Sequence, residues 1–167
     1  MRGEHPPPGK KSMAESAQYT ILVVDDEELV RNLVVTLMSR LGHSCITAAD
    51  GVDALDRMKG NKIDAVITDI KMPNMDGVAL TIEILKRNPG LPIMVMTAFD
   101  EEYSAGAAIS AGAREFIGKP FSPEEFSVQL QKMINDSETI KRLKSEKMVD
   151  ENVQDLMDEL KATLKEN

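Results

Sequence analysis

Short apolar runs, each closed by an acid, a hydroxyl or a lysine, alternate along this chain with segments whose apolar residues recur every three or four positions. Tyr19-Thr20-Ile21-Leu22-Val23-Val24 is the first run and ends in Asp25-Asp26-Glu27-Glu28. Runs without polar alternation mark strands covered on both faces. Leu29, Leu33, Val34, Leu37, Met38 and Leu41 then follow at helical spacing, and Gly42 supplies a stop. Ser44 to Ala48 is a second strand; Asp50 caps a helix bearing Val52, Leu55 and Met58, which Gly60 ends. Ile63 to Thr68 is a third strand and carries Asp69 at its end, after which Pro73 removes a ladder donor and Asn74 to Gly77 make a turn.

A helix over about 78–87 is closed by Asn88-Pro89-Gly90, and Leu91 to Thr97 is a fourth strand with Pro92 near its start. Asp100 to about Ala111 reads as a helix whose apolar face is mostly alanine. Few apolar contacts mean low local stability, so it is expected to be the mobile part of an output surface. Glu115-Phe116-Ile117 is a short fifth strand that Lys119-Pro120 ends. The next helix has a full start signal: Ser122 at the N-cap, Pro123 at N1, Glu125 at N3, and Phe121 and Phe126 placed as a hydrophobic staple.

Five apolar strands alternating with five helices predict an α/β fold with a doubly wound parallel sheet covered on both faces. Ligands in such sheets bind beyond the carboxyl ends of the strands. The strand ends bring together Asp25 and Asp26, Asp69, Thr97 and Lys119. Three crowded carboxylates repel unless a cation joins them, and a small set of hard oxygen donors with room for water and phosphate suits Mg²⁺. Thr97 and Lys119 offer a hydroxyl and an ammonium to phosphoryl oxygens, which makes Asp69 the expected nucleophile and acyl-phosphate carrier. The bland alternative gives each acid to a helix N-terminus. It explains the acids singly, but not acids, hydroxyl and lysine on different strand ends.

The totals remove other classes. The 167 residues suit one domain with appendages, and the net charge of −8 argues against a general binder of nucleic acid or membrane surface. No apolar run is long enough to span a bilayer. The N-terminal basic residues have no apolar core behind them, so they are not a secretory signal. The single cysteine, Cys45, excludes an internal disulfide, fits a cytoplasmic protein, and reads as a small buried hydrophobe. His43 reads as a solvated loop residue, and Met72, Met75, Met94 and Met96 as loop and core filler.

Val-Val-Asp-Asp-Glu, Thr-Asp-Ile-Lys-Met-Pro-Asn-Met-Asp-Gly, Met-Thr-Ala and Gly-Lys-Pro-Phe occur in the order of the receiver domain of two-component response regulators, which residues 19–136 resemble. The resemblance implies a flavodoxin-like three-layer sandwich with sheet order 2-1-3-4-5. It also implies Mg²⁺ held by Asp25, Asp26, Asp69 and the backbone carbonyl of Lys71. Asp69 would take the phosphoryl group from a histidine kinase or a histidine phosphotransfer protein. Thr97 would reorient toward it, Lys119 would pair with it, and Phe116 would follow as the aromatic switch. The Lys119-Pro120 bond would be cis. Gly118 stands where the family often has a polar or β-branched residue, Phe116 lacks a tyrosine's hydroxyl, and Lys71 and Phe99 occupy positions that tune autodephosphorylation. Such a protein is a phosphoacceptor that promotes only its own phosphotransfer and dephosphorylation, not an enzyme acting on other substrates.

Residues 1–18, with Pro6-Pro7-Pro8-Gly9, read as a disordered leader, and residues 137–167 as a helical, coiled-coil-like extension. Val149, Val153, Leu156 and Leu160 form its seam, and the step from Leu143 to Val149 breaks register, predicting two phases or a bend. Residues 137–149 carry four basic and two acidic side chains, and residues 150–167 two basic and six acidic, so antiparallel copies would match. The output is then a downstream protein target, or a homodimer through the receiver face or the C-terminal helix, with neither direct DNA binding nor membrane contact. A phosphorelay shuttle and a regulatory fragment of a larger protein are the alternatives. A haloacid dehalogenase-type enzyme would need its nucleophile and a second Asp two residues on after the first strand, a pattern Asp25-Asp26-Glu27 does not supply.

Overall fold

The computed structural model describes residues 18–98 and 102–165, with the side chains of Glu102 and Tyr103 left aside. The expected leader up to residue 17, Phe99 and Asp100 lie outside the described residues. Five strands and five helices alternate: β1 (Thr20–Val24), α1 (Glu28–Arg40), β2 (Ser44–Ala48), α2 (Gly51–Met58), β3 (Ala65–Asp69), α3 (Gly77–Arg87), β4 (Ile93–Thr97), α4 (Glu102–Ser110), β5 (Glu115–Gly118) and α5 (Pro123–Lys165). The strands are parallel in the order β2-β1-β3-β4-β5. The flavodoxin-like sandwich is therefore the fold of this chain.

Both faces of the sheet are closed by apolar contact. Ile21, Val23, Ile67 and Met96 pack with α1 and α5, whereas Leu22, Val24, Val66 and Val95 pack with α2, α3 and α4. Alternate residues of each strand feed opposite cores. Every residue of β3 and β4 is buried, which is why those strands read as unbroken apolar runs.

The start of α5 follows its sequence signal closely. Ser122 Oγ accepts from the Glu125 amide at 3.1 Å, the Glu125 carboxylate accepts from the Ser122 amide at 3.0 Å, and the Phe121 and Phe126 rings lie 5.1 Å apart. The helix then runs unbroken from Pro123 to Lys165, so the register step after Leu143 does not interrupt it. Helical spacing also overstated two faces: Leu29 and Val52 are exposed, whereas Ala54 is the buried apolar residue of α2, with Leu55 and Met58 packed partly buried against the same core. His43 is half-buried, accepting from the Tyr19 amide at 3.3 Å, and burial lowers its pKa. It packs on the Tyr19 ring, 5.4 Å between centroids, and so is only partly solvated. Cys45 is partly buried, with its thiol pushed up to about 11 by desolvation.

Candidate functional site

Parallel strands all end at one edge of the sheet, where the loops after β1, β3 and β5 meet the end of β4. Asp25 follows β1 and is fully buried, and Asp69 closes β3 with 6% exposure. Asp26 is exposed beside them, and one carboxylate oxygen from each of the three lies within 4.8 Å of the others. Lys119 Nζ reaches into this group, 3.0 Å from Asp25 Oδ2 and 3.1 Å from Asp69 Oδ1.

The loops are held by hydrogen bonds that fix these carboxylates. Asp25 Oδ1 accepts from the Glu27 amide at 2.9 Å, and Arg31 donates to the Asp25 carbonyl at 2.6 Å. Glu27 is the N-cap of α1 but makes no side-chain cap bond. Capping therefore leaves Asp26 unaccounted for. Asp69 Oδ1 accepts from the Ile70 amide at 2.9 Å. The chain then turns back so closely that a Cβ at Gly77 would fall on the Asp69 carbonyl oxygen. Asp76 caps α3 by accepting from Ala79, and Asn74, at φ 65°, donates to Asp50 at 2.8 Å. Lys71 lies in the same loop, two residues beyond Asp69, with its side chain exposed.

Electrostatics sets this site apart. Burial and the neighbouring Asp25 charge push the Asp69 carboxyl up to about 6, against the opposing pull of Lys119. For Lys119, burial is the largest single influence and opposes the charged form. Hydrogen bonds and charge from Asp25 and Asp69 together outweigh it, holding the ammonium above its ordinary pKa. The three carboxylates thus carry more negative charge than Lys119 neutralises. Three oxygen donors of this kind fit a small hard divalent cation such as Mg²⁺.

Thr97 ends β4 beside the acids, nearly buried, its hydroxyl donating over a long 3.5 Å to the Ile117 carbonyl. Phe116 on β5 is 53% exposed and, with Thr97, Ala105, Gly106 and Ile109, lines a cleft of about 550 Å³. The Lys119–Pro120 peptide is cis. Gly118 faces open space where a Cβ would stand. Asp25, Asp26, Asp69 and Lys119 are thus brought into one cluster, with Thr97 and Phe116 joined to it along β4 and β5. The bracing roles of Gly77, Arg31 and Asp76 were not legible beforehand. An Asp-Gly pair leading into a helix was the available signal, and it read only as a turn.

Fold and cluster together define a response-regulator receiver. Residues 21–131 match the family described as the response regulator receiver domain, and this chain belongs to that family. Among curated relatives it is 35% identical over 118 residues to the alkaline phosphatase synthesis transcriptional regulatory protein PhoP of Bacillus subtilis, covering 71% of this chain and 49% of that protein. It is 38% identical over 114 residues to the response regulator MprA of a Mycobacterium species, covering 68% of this chain and 50% of that protein. The chain thus spans about half the length of the curated relatives it matches. Among solved structures, a response regulator receiver domain protein of Clostridium thermocellum superposes with a TM-score of 0.69 at 30% identity, covering 73% of this chain and 98% of the other. Brucella abortus NtrX superposes with a TM-score of 0.74 at 32% identity, covering 77% of this chain and 29% of the other. Among the described residues, no helix is long and apolar enough to cross a membrane.

Proposed function

We propose that this chain is a cytoplasmic, phosphorylation-activated switch in which Asp69 accepts a phosphoryl group from the phosphohistidine of a histidine kinase or histidine phosphotransfer protein. The observation that carries this reading is the pairing of one buried, electron-rich carboxylate with a lysine and two further acids at the sheet edge. Asp69 Oδ1 is already held by the Ile70 amide and Lys119, so Oδ2 is the proposed nucleophile. It attacks phosphorus as the P–N bond of the phosphohistidine breaks, the ring reacting in its protonated imidazolium form, so that the products are an acyl phosphate and a neutral imidazole that keeps that proton. Asp25, Asp26 and Asp69, with the Lys71 carbonyl, would hold Mg²⁺, which supplies charge neutralisation for the phosphoryl oxygens. Lys119 pairs with one of those oxygens as its contact to Asp69 is released.

The same step throws the switch. Thr97 gives up its long contact to Ile117 for a phosphoryl oxygen, and Phe116 turns from solvent into the cleft beside α4. The output is contact with a downstream protein, altered where α4 and β5 meet. The unbroken α5 also favours a regulatory segment whose helix passes the receiver's state to a further module, over a shuttle with no output. Beryllofluoride with Mg²⁺ tests the switch. Amide shifts should change at Thr97, Phe116 and Lys119 and be absent in Asp69→Asn. Unchanged spectra in the parent chain would overturn the reading.

A further inference from the structure

Helix α5 carries two apolar faces. Phe126, Leu130, Met133 and Ile134 are buried against the sheet, and Ser137 is its last buried residue. Farther along, Val149, Val153, Leu156, Met157, Leu160 and Leu164 are all 48–76% exposed. At about 100° per residue, this second stripe is turned by roughly 150° from the face that packs on the sheet. On one unbroken helix it therefore points away from the receiver's own contact surface. A lone amphipathic helix of this kind is marginal in water without a partner for its apolar face.

We infer that this stripe is a homodimer interface, occupied by the same segment of a second copy running antiparallel. The positions are self-complementary on reversal. Turning the segment about the point between Leu156 and Met157 places Val149 on Leu164, Val153 on Leu160 and Leu156 on Met157. Each apolar side chain then meets another, with none left facing a charge. Charge selects the same arrangement. Asp150 and Lys161 share one flank of the stripe, and an antiparallel two-fold pair sets like flanks together. Asp150 then lies within about 3 Å, along the axis, of the level of the second copy's Lys161, and the symmetry repeats the pair.

A parallel pair is disfavoured by what precedes the stripe. The same face continues toward the receiver through Glu146 and Arg142, which form an ion pair of 3.9 Å within their own helix. Parallel helices would set Glu146 against Glu146 and Arg142 against Arg142, and like charges opposed at a helix seam destabilise it. In the antiparallel pair neither Glu146 nor Arg142 meets its own counterpart. The contact begins about 18 Å past Ser137 along the axis, leaving the receivers at opposite ends with their acidic sites open. Association through this stripe is thus independent of the chemistry at Asp69.

Sedimentation equilibrium on the full chain reads the association, and engineered thiols read its direction. The mass should rise to twice that of the chain with concentration, with or without beryllofluoride. Leu156→Glu with Leu160→Glu should return it to one chain, with the receiver's thermal transition retained, since both side chains are more than half exposed. In a Cys45→Ser background, Val149→Cys should form a disulfide with Leu164→Cys in a mixture and not with itself. A monomer at all concentrations would overturn the proposal and leave the stripe to a different protein. A Val149→Cys self-disulfide in preference to the mixed one would overturn the antiparallel arrangement.

Discussion

Lys119 and Asp25, 94 positions apart in the chain, meet at 3.0 Å at the carboxyl edge of the sheet. The lysine also lies 3.1 Å from Asp69, so one ammonium spans two buried carboxylates. Lys119→Met would leave those acids facing each other without a counter-charge. The expected loss is about 2–4 kcal/mol in metal-free buffer, measured by urea unfolding, with part of it regained on adding Mg²⁺. Lys132→Met, which breaks the exposed ion pair with Glu115, should change little. Equal losses in the two variants would mean that Lys119 does not hold the two acids together.

Asp69 makes stability depend on pH in an unusual direction. Its carboxyl is raised from 3.8 to about 6 in the folded chain, chiefly by burial. The folded state therefore binds the proton more tightly than the unfolded one. Its contribution favours folding below about pH 4 and is lost as pH rises through about 6. Asp69→Asn should accordingly stabilise the metal-free protein by about 3 kcal/mol at pH 7 and by little at pH 4. Mg²⁺ should narrow or reverse the difference, because the parent chain gains a ligand that the variant binds poorly. The chain contains no tryptophan, so circular dichroism is the suitable readout.

The Asp69 loop depends on a backbone approach that only glycine permits. At Gly77 an added Cβ would collide with the Asp69 carbonyl oxygen, and the Gly77 amide donates to the Ile70 carbonyl at 2.8 Å. Gly77→Ala must push the loop outward, moving Asp69 relative to Asp25. It should cost about 2 kcal/mol or more and weaken Mg²⁺ affinity measured by calorimetry. Unchanged affinity would mean that the carboxylates are not positioned from this turn.

Gly118 gives the opposite expectation. A Cβ there meets nothing within 4 Å, and the backbone is not in the left-handed region. Gly118→Ala should stabilise by about 0.5 kcal/mol through the unfolded chain's lost freedom. It should also make the strand leading to Lys119 less mobile, read as slower amide exchange at Lys119.

Local signals carried most of this fold into view. The runs of β1, β3 and β4 were visible because both faces of a central parallel strand need apolar cover. The α5 start was visible because Ser122, Glu125 and the two phenylalanines bond within one turn. Periodicity failed where exposure is decided by distant elements: Leu29 and Val52 sit at helical spacing, yet both are exposed. His43 failed for the same reason, since its partner Tyr19 is distant in sequence and adjacent only across the sheet edge. At the site, residue types and strand ends placed the acids and Lys119 together. The hold of Gly77 and Arg31 on them needed coordinates, because a close backbone approach leaves no mark on composition.

Asp69 is the proposed carrier of the phosphoryl group. The most direct measurement is peptide-mapping mass spectrometry after incubation with acetyl phosphate and Mg²⁺, with borohydride reduction to fix the acyl phosphate. One modified peptide is expected, reduced at Asp69 and lost with hydroxylamine, chelator or Asp69→Asn. Modification at another residue, or at Asp69 without any dependence on a divalent cation, would contradict that role.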